Sequence, residues 1–130
     1  MRDLAMDGEK KNSVLIVDDE RSNISMLRSI LGQDYTVYAS SDGQAAIETA
    51  EEFTPDVILL DIIMPDMDGY DVIAALKDSK TTKDIPVIFI TGLDNPEAEE
   101  KGLALGAAGF IPKPFNPAAV KLSVQNQLNK

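Results

Sequence analysis

At 130 residues and 14.1 kDa the chain has room for one domain and not two. Its 22 acidic against 12 basic residues leave a formal charge of −10, which opposes direct binding to nucleic-acid phosphates and to anionic membrane surfaces. With no cysteine and no histidine, disulfides, thiolate or imidazole metal sites, thiol nucleophiles and imidazole bases are excluded, so any chemistry rests on carboxylate, hydroxyl, amine or backbone groups.

Residues 1–12 (MRDLAMDGEKKN) are polar and unperiodic, and read as a mobile leader before a domain spanning 13–130. The N-terminus lacks the apolar core of a signal peptide. The longest apolar stretches, Val57 to Leu60 and Ile85 to Ile90, fall far short of the roughly 20 residues of a membrane span, so a cytoplasmic setting is expected.

The first apolar run, Val14 to Val17, has the length of a strand and ends in Asp18-Asp19-Glu20. Ile24, Leu27 and Leu31 then repeat at helical spacing. A second strand over Thr36 to Ala39 leads to Ser41-Asp42-Gly43-Gln44, which reads as a capping box for a helix carrying Ala46, Ile47 and Ala50. The third run, Val57 to Leu60, is uninterrupted and stops at Asp61. Val72, Ile73 and Leu76 mark the next helix. The fourth run, Val87 to Ile90, stops at Thr91-Gly92. Asn95-Pro96 sets a cap and a first-turn proline before a helix around Leu103, whose first turn is strongly acidic (Asp94, Glu97, Glu99, Glu100) and suits the positive end of the helix dipole. A fifth strand over Ala108 to Ile111 runs into Lys113-Pro114, and Asn116-Pro117 opens a last helix with Val120, Val124 and Leu128.

Regular alternation of strand and helix predicts an α/β fold: a parallel five-stranded sheet, doubly wound, with right-handed crossovers and helices on both faces. Uninterrupted apolar strands fit burial on both sides. In such sheets ligands sit beyond the carboxyl ends of the strands, and in the flavodoxin-like order 2-1-3-4-5 the ends of strands one, three, four and five converge there. That would gather Asp18, Asp19, Asp61, Thr91 and Lys113.

Each of these has a plainer reading alone: an aspartate after a strand caps a helix, a threonine does the same, and a lysine is a solvated amine. Taken together they read differently, because close carboxylates repel and raise one another's pKa unless a cation compensates them. An oxygen-only donor set matches Mg²⁺. Beside such a cation a carboxylate can act as a nucleophile toward phosphorus, with no imidazole base required.

The ordered set VLIVDDE at 14–20, DVILLDIIMPDMDGYDVI at 56–73, PVIFITG at 86–92 and GAAGFIPKPF at 106–115 resembles the response-regulator receiver family of two-component signalling, of which the chemotaxis regulator is a member. The resemblance runs from about Ser13 to Lys130. It implies that Asp61 accepts a phosphoryl group from a sensor histidine kinase or phosphotransfer protein. It makes Asp19 and Asp61 ligands of Mg²⁺, with Mn²⁺ able to substitute, alongside Asp18 acting through metal-bound water and the backbone carbonyl of Ile63. Thr91 and Lys113 would contact the phosphoryl oxygens, Gly92 would leave room beside them, and the Lys113-Pro114 peptide would be cis.

Phe110 matches the family's aromatic switch, which would follow Thr91 inward; it reads equally as a buried strand aromatic. Without a hydroxyl, its movement would be governed by packing alone. Gly69 serves backbone geometry. The implied output is altered protein binding on the face of helix four, strand five and helix five, to an output domain or protein, with a phosphorylation-dependent homodimer among the expected assemblies.

Ile63 and Leu93, apolar and two positions past Asp61 and Thr91, would overhang the path of a hydrolytic water, so slow self-dephosphorylation is expected. A haloacid-dehalogenase-like phosphatase also uses an aspartate nucleophile, in Asp-x-Asp, but here the second position is Ile63. No acid remains to protonate a leaving group, so the chain is expected to catalyse only its own phosphorylation and dephosphorylation. Neither phosphate-binding glycine motif of nucleotide enzymes occurs.

Overall fold

The computed structural model describes residues 11–93 and 95–129; the expected leader over 1–12 lies almost wholly outside them, and so does Asp94. Ten elements alternate along the chain. Strand β1 (Ser13–Val17) precedes α1 (Arg21–Leu31), and β2 (Thr36–Ser40) precedes α2 (Gly43–Phe53). Next come β3 (Val57–Asp61) with α3 (Gly69–Lys77), β4 (Val87–Thr91) with α4 (Pro96–Ala104), and β5 (Gly109–Pro112) with α5 (Pro117–Leu128).

All pairings are parallel and the order is β2-β1-β3-β4-β5, the expected flavodoxin-like arrangement. Asp61 and Thr91 are the last residues of β3 and β4 rather than the first beyond them, and β5 starts at Gly109, one residue later than its apolar run.

Side chains alternate across a strand, so each strand feeds two cores. Leu15, Val17, Ile58, Leu60, Val87 and Phe89 point to the face covered by α2 and α3, where Ala46, Ala50, Val72, Ile73 and Leu76 meet them. Val14, Ile16, Val57, Leu59, Ile88 and Ile90 point to the other face, under Leu27 and Leu31 of α1 and Val120 and Val124 of α5. Every residue of β3 and β4 is buried, whereas β2 and β5, at the edges, are only partly so. Burying each of these large side chains contributes about 1.5–3 kcal/mol.

Caps place the helix starts. Asn95 and Asn116 accept hydrogen bonds from the Ala98 and Ala119 amides, each before a first-turn proline, as expected. The capping box expected at Ser41–Gln44 is not formed. Asp42 is the cap, its extended backbone bringing the carboxylate over the Ala45 amide. A reciprocal box forms instead on α3, between Asp68 and Asp71.

Candidate functional site

The site lies where the four neighbouring strands β1, β3, β4 and β5 end. Asp18, immediately after β1, is fully buried; its amide donates to the Ser40 carbonyl of β2 at 3.2 Å. Asp61 is held by the end of β3 and is 4% exposed. The following loop is pinned to it: the Gly69 amide donates to the Ile62 carbonyl at 2.7 Å, and a Cβ at Gly69 would come within 2.8 Å of the Ile62 Cα. Only glycine lets the chain pass so near the end of β3. Asp19 is exposed beside these two, and one carboxylate oxygen from each of Asp18, Asp19 and Asp61 lies within 4.8 Å of the others.

Lys113 reaches the same point from β5. Its amide donates to the Thr91 carbonyl at 3.0 Å, its peptide to Pro114 is cis as expected, and its ammonium lies 3.1 Å from Asp61 Oδ1 and 3.4 Å from Asp18 Oδ2. Burial and the neighbouring Asp18 charge push the Asp61 carboxyl up to about 6, and the Lys113 ammonium only partly offsets them. Burial alone would lower the Lys113 pKa, but hydrogen bonding to Asp61 and the charges of Asp61 and Asp18 outweigh it, so its ammonium is held above the ordinary lysine range.

Four predicted residues are thus brought together. Ile63 and Gly92 line the mouth with Asp19, Glu20, Asp61 and Lys113, around an open cleft of about 350 Å³. Ile63 is 62% exposed, so its side chain overhangs this opening rather than packing into the core. Thr91 is buried at the end of β4, and its hydroxyl accepts a hydrogen bond from the Leu93 amide at 2.8 Å. Phe110 stands apart from the carboxylates. Its ring packs 5.8 Å from that of Phe89 and against Gly102 of α4, and it borders a second cavity of about 370 Å³ that also touches Thr91 and Lys113.

One contributor was not legible in advance. Asn23, in the first turn of α1, donates from Nδ2 to Asp18 Oδ2 at 3.1 Å and to Glu20 Oε1 at 2.9 Å. The available signal was its place three residues past Glu20, one helical turn away.

The family model for the response regulator receiver domain matches residues 14–125. A probable cyclic di-GMP phosphodiesterase of Vibrio cholerae is 39% identical over 96% of this chain, which spans only 28% of that protein's length. Among solved structures, the Vibrio cholerae chemotaxis protein CheY4 superposes with a TM-score of 0.87 at 34% identity, covering 91% of this chain and 99% of its own. The receiver domain of a Pseudomonas aeruginosa sensor histidine kinase, solved with a magnesium ion coordinated in its active-site cleft, gives 0.85 at 26% identity, covering 92% and 99%. A match across nearly all of the described residues, on the same strand order, makes this chain a member of the response regulator receiver domain family.

Proposed function

We propose that the chain accepts a phosphoryl group on Asp61 from a sensor histidine kinase or phosphotransfer protein, in a Mg²⁺-dependent reaction, and thereby switches its protein contacts. The observation that carries this reading is the gathering of three carboxylates at one point with a single ammonium on two of them.

The donor set fits the cation. Three ionised carboxylates against one ammonium leave the cluster with excess negative charge, and the donors are all hard oxygens, which suits Mg²⁺, with Mn²⁺ able to replace it. In this reading Asp19, Asp61 and the Ile63 carbonyl would hold it directly, and Asp18 would act through water. When bound, the cation neutralises charge on the transferring group. A magnesium ion in the cleft of a related sensor-kinase receiver supports the assignment.

The chain's own residues supply the rest. An Asp61 carboxylate oxygen attacks phosphorus and forms the new O–P bond as the donor's N–P bond breaks, the electron pair leaving with the donor imidazole. Lys113 stands 3.1 Å from Asp61 Oδ1 and would meet the phosphoryl oxygens. To do the same, Thr91 releases the Leu93 amide, vacating space that Phe110 can follow into. Gly92 has nothing within 4 Å of where a Cβ would sit, so the group has room. The position two past Asp61, where an Asp-x-Asp phosphatase carries its general acid, is Ile63, and on this reading turnover is confined to the chain's own phosphorylation and dephosphorylation.

The face formed by α4, β5 and α5 carries the output, to a further domain or protein or to a second copy of the phosphorylated chain. The proposed setting is cytoplasmic; no helix among the described residues is long and apolar enough to cross a membrane.

Intact-mass analysis after exposure to a small phosphodonor with Mg²⁺ tests the assignment. The wild type gains one phosphoryl mass, and Asp61→Asn, or wild type in excess chelator, gains none. No gain on wild type, or equal gain on both proteins, overturns it.

A further inference from the structure

Asp18 is fully buried, and both of its carboxylate oxygens have polar partners. Oδ1 accepts from the Glu20 amide at 2.9 Å; Oδ2 accepts from Asn23 Nδ2 at 3.1 Å and faces the Lys113 ammonium at 3.4 Å. The same Asn23 nitrogen donates to Glu20 Oε1 at 2.9 Å. The orientation of this amide is dictated by its surroundings. Two ionised carboxylates offer only acceptors, so the nitrogen, with its two N–H bonds, must face them.

Glu20 is exposed, and a free glutamate there would sweep through solvent. Tied to Asn23, it instead borders the cleft shared by Asp19, Asp61, Ile63, Gly92 and Lys113. The loop after β1 is thus closed on itself by a helix residue that touches neither the acceptor nor the lysine.

Resting on the Mg²⁺ reading above, we infer that Asn23 is a positioning residue for the cation: its amide fixes the Asp18 carboxylate within the cluster and holds Glu20 at the rim as an additional, outer carboxylate. The assignment follows from the arrangement of donors. Without the amide, Asp18 Oδ2 keeps only the longer Lys113 contact and is free to rotate toward the lysine, away from the place where it supports a metal-bound water. Glu20 loses the one side-chain partner it has among the described residues, the one that keeps it over the cleft. Outer groups of this kind set the orientation of carboxylates around a metal and tune its affinity.

The test is a Mg²⁺ titration of the full chain, stripped of metal, read from the amide NMR shifts of residues 18–20 and 61. Asn23→Leu, close in volume and without donors, binds Mg²⁺ about tenfold more weakly than wild type, and Asn23→Gln, which keeps the amide, stays within about threefold. Glu20→Gln weakens binding in wild type and adds little in the Asn23→Leu background. Position 23 is half-buried in a first helical turn, and thermal melts in chelator check that both variants fold. An unchanged affinity in Asn23→Leu, equal losses in the Leu and Gln variants, or an equal effect of Glu20→Gln in both backgrounds overturns the inference alone. Absence of Mg²⁺ binding by the wild type overturns the cation reading and this inference with it.

Discussion

Asp61 and its neighbours show how position converts an ordinary side chain into a specialised one. Ile63 projects over the mouth of the site with 62% of its surface exposed. Leu93, two past Thr91, packs half-buried against the core beside it. Neither can orient a water for attack on a phosphorylated Asp61. Replacing Ile63 by asparagine supplies a group able to hold that water, and the rate of loss of the phosphoryl group rises on the order of tenfold or more, measured by mass over time. An unchanged lifetime places the barrier elsewhere. At this scale Asp18, Asp19, Asp61 and Lys113 could be named because each stands at the end of an apolar strand run, and they do gather at one point, while the roles given to them came from family resemblance. Asn23 could not, because an asparagine in a first helical turn looks like any solvated polar residue until its partners are known.

Among the helices, α4 is the weakly anchored one. Its only buried residue is Gly102, and its large side chain Leu103 is 55% exposed. What holds it is specific: the Tyr70 hydroxyl of α3 donates to the Ala98 carbonyl at 3.4 Å, the Lys101 ammonium lies 4.3 Å over the Tyr70 ring, and the Phe110 and Phe89 rings fill the space left by the missing side chain of Gly102. A Cβ at Gly102 would sit 2.7 Å from Phe110 Cζ and 3.0 Å from Phe89 Cε2. Gly102→Ala therefore gains about 1 kcal/mol of helix propensity and loses about 1–3 kcal/mol to crowding, for a net destabilisation of about 1 kcal/mol by denaturant unfolding. Because Phe110 is the more exposed ring, it is the one displaced, and Phe110→Ala costs less in the Gly102→Ala protein than in wild type. Strictly additive effects would mean that the ring does not use this space. The elements themselves were legible where their pattern was strong. The runs at β3 and β4 are apolar throughout because both faces are covered, and Asn-Pro pairs marked the starts of α4 and α5. The start of α2 was misassigned by one residue, since Ser41 and Asp42 are both good caps and only the backbone path selects Asp42. The packing of α4 was not legible, because a glycine in a helix gives no apolar signal.

For the whole molecule, the buried carboxylate sets a pH dependence. In the folded chain Asp61 titrates at about 6, while an unfolded aspartate ionises near 4. The folded state therefore binds more protons across this window, and stability falls as pH rises through it. The metal-free protein loses about 3 kcal/mol from this group by pH 7, and Asp61→Asn abolishes the decline. Unfolding free energies measured in chelator between pH 4 and 7 check this, and an identical slope in both proteins would refute it. The fold as a whole was readable from alternation, but alternation is silent on strand order; 2-1-3-4-5 came through family resemblance and is the order observed.

Lys113 gives this arrangement a further consequence. The ammonium that answers the central carboxylates is delivered not from the middle of the sheet but by the chain leaving β5, its edge strand. On the proposed reading, a phosphoryl group on Asp61 would therefore be felt as a pull on the rim, on the same strand that carries Phe110. The chain would then act like a lever, its short arm ending in the acidic cluster and its long arm on the outer surface, where a partner would read its position.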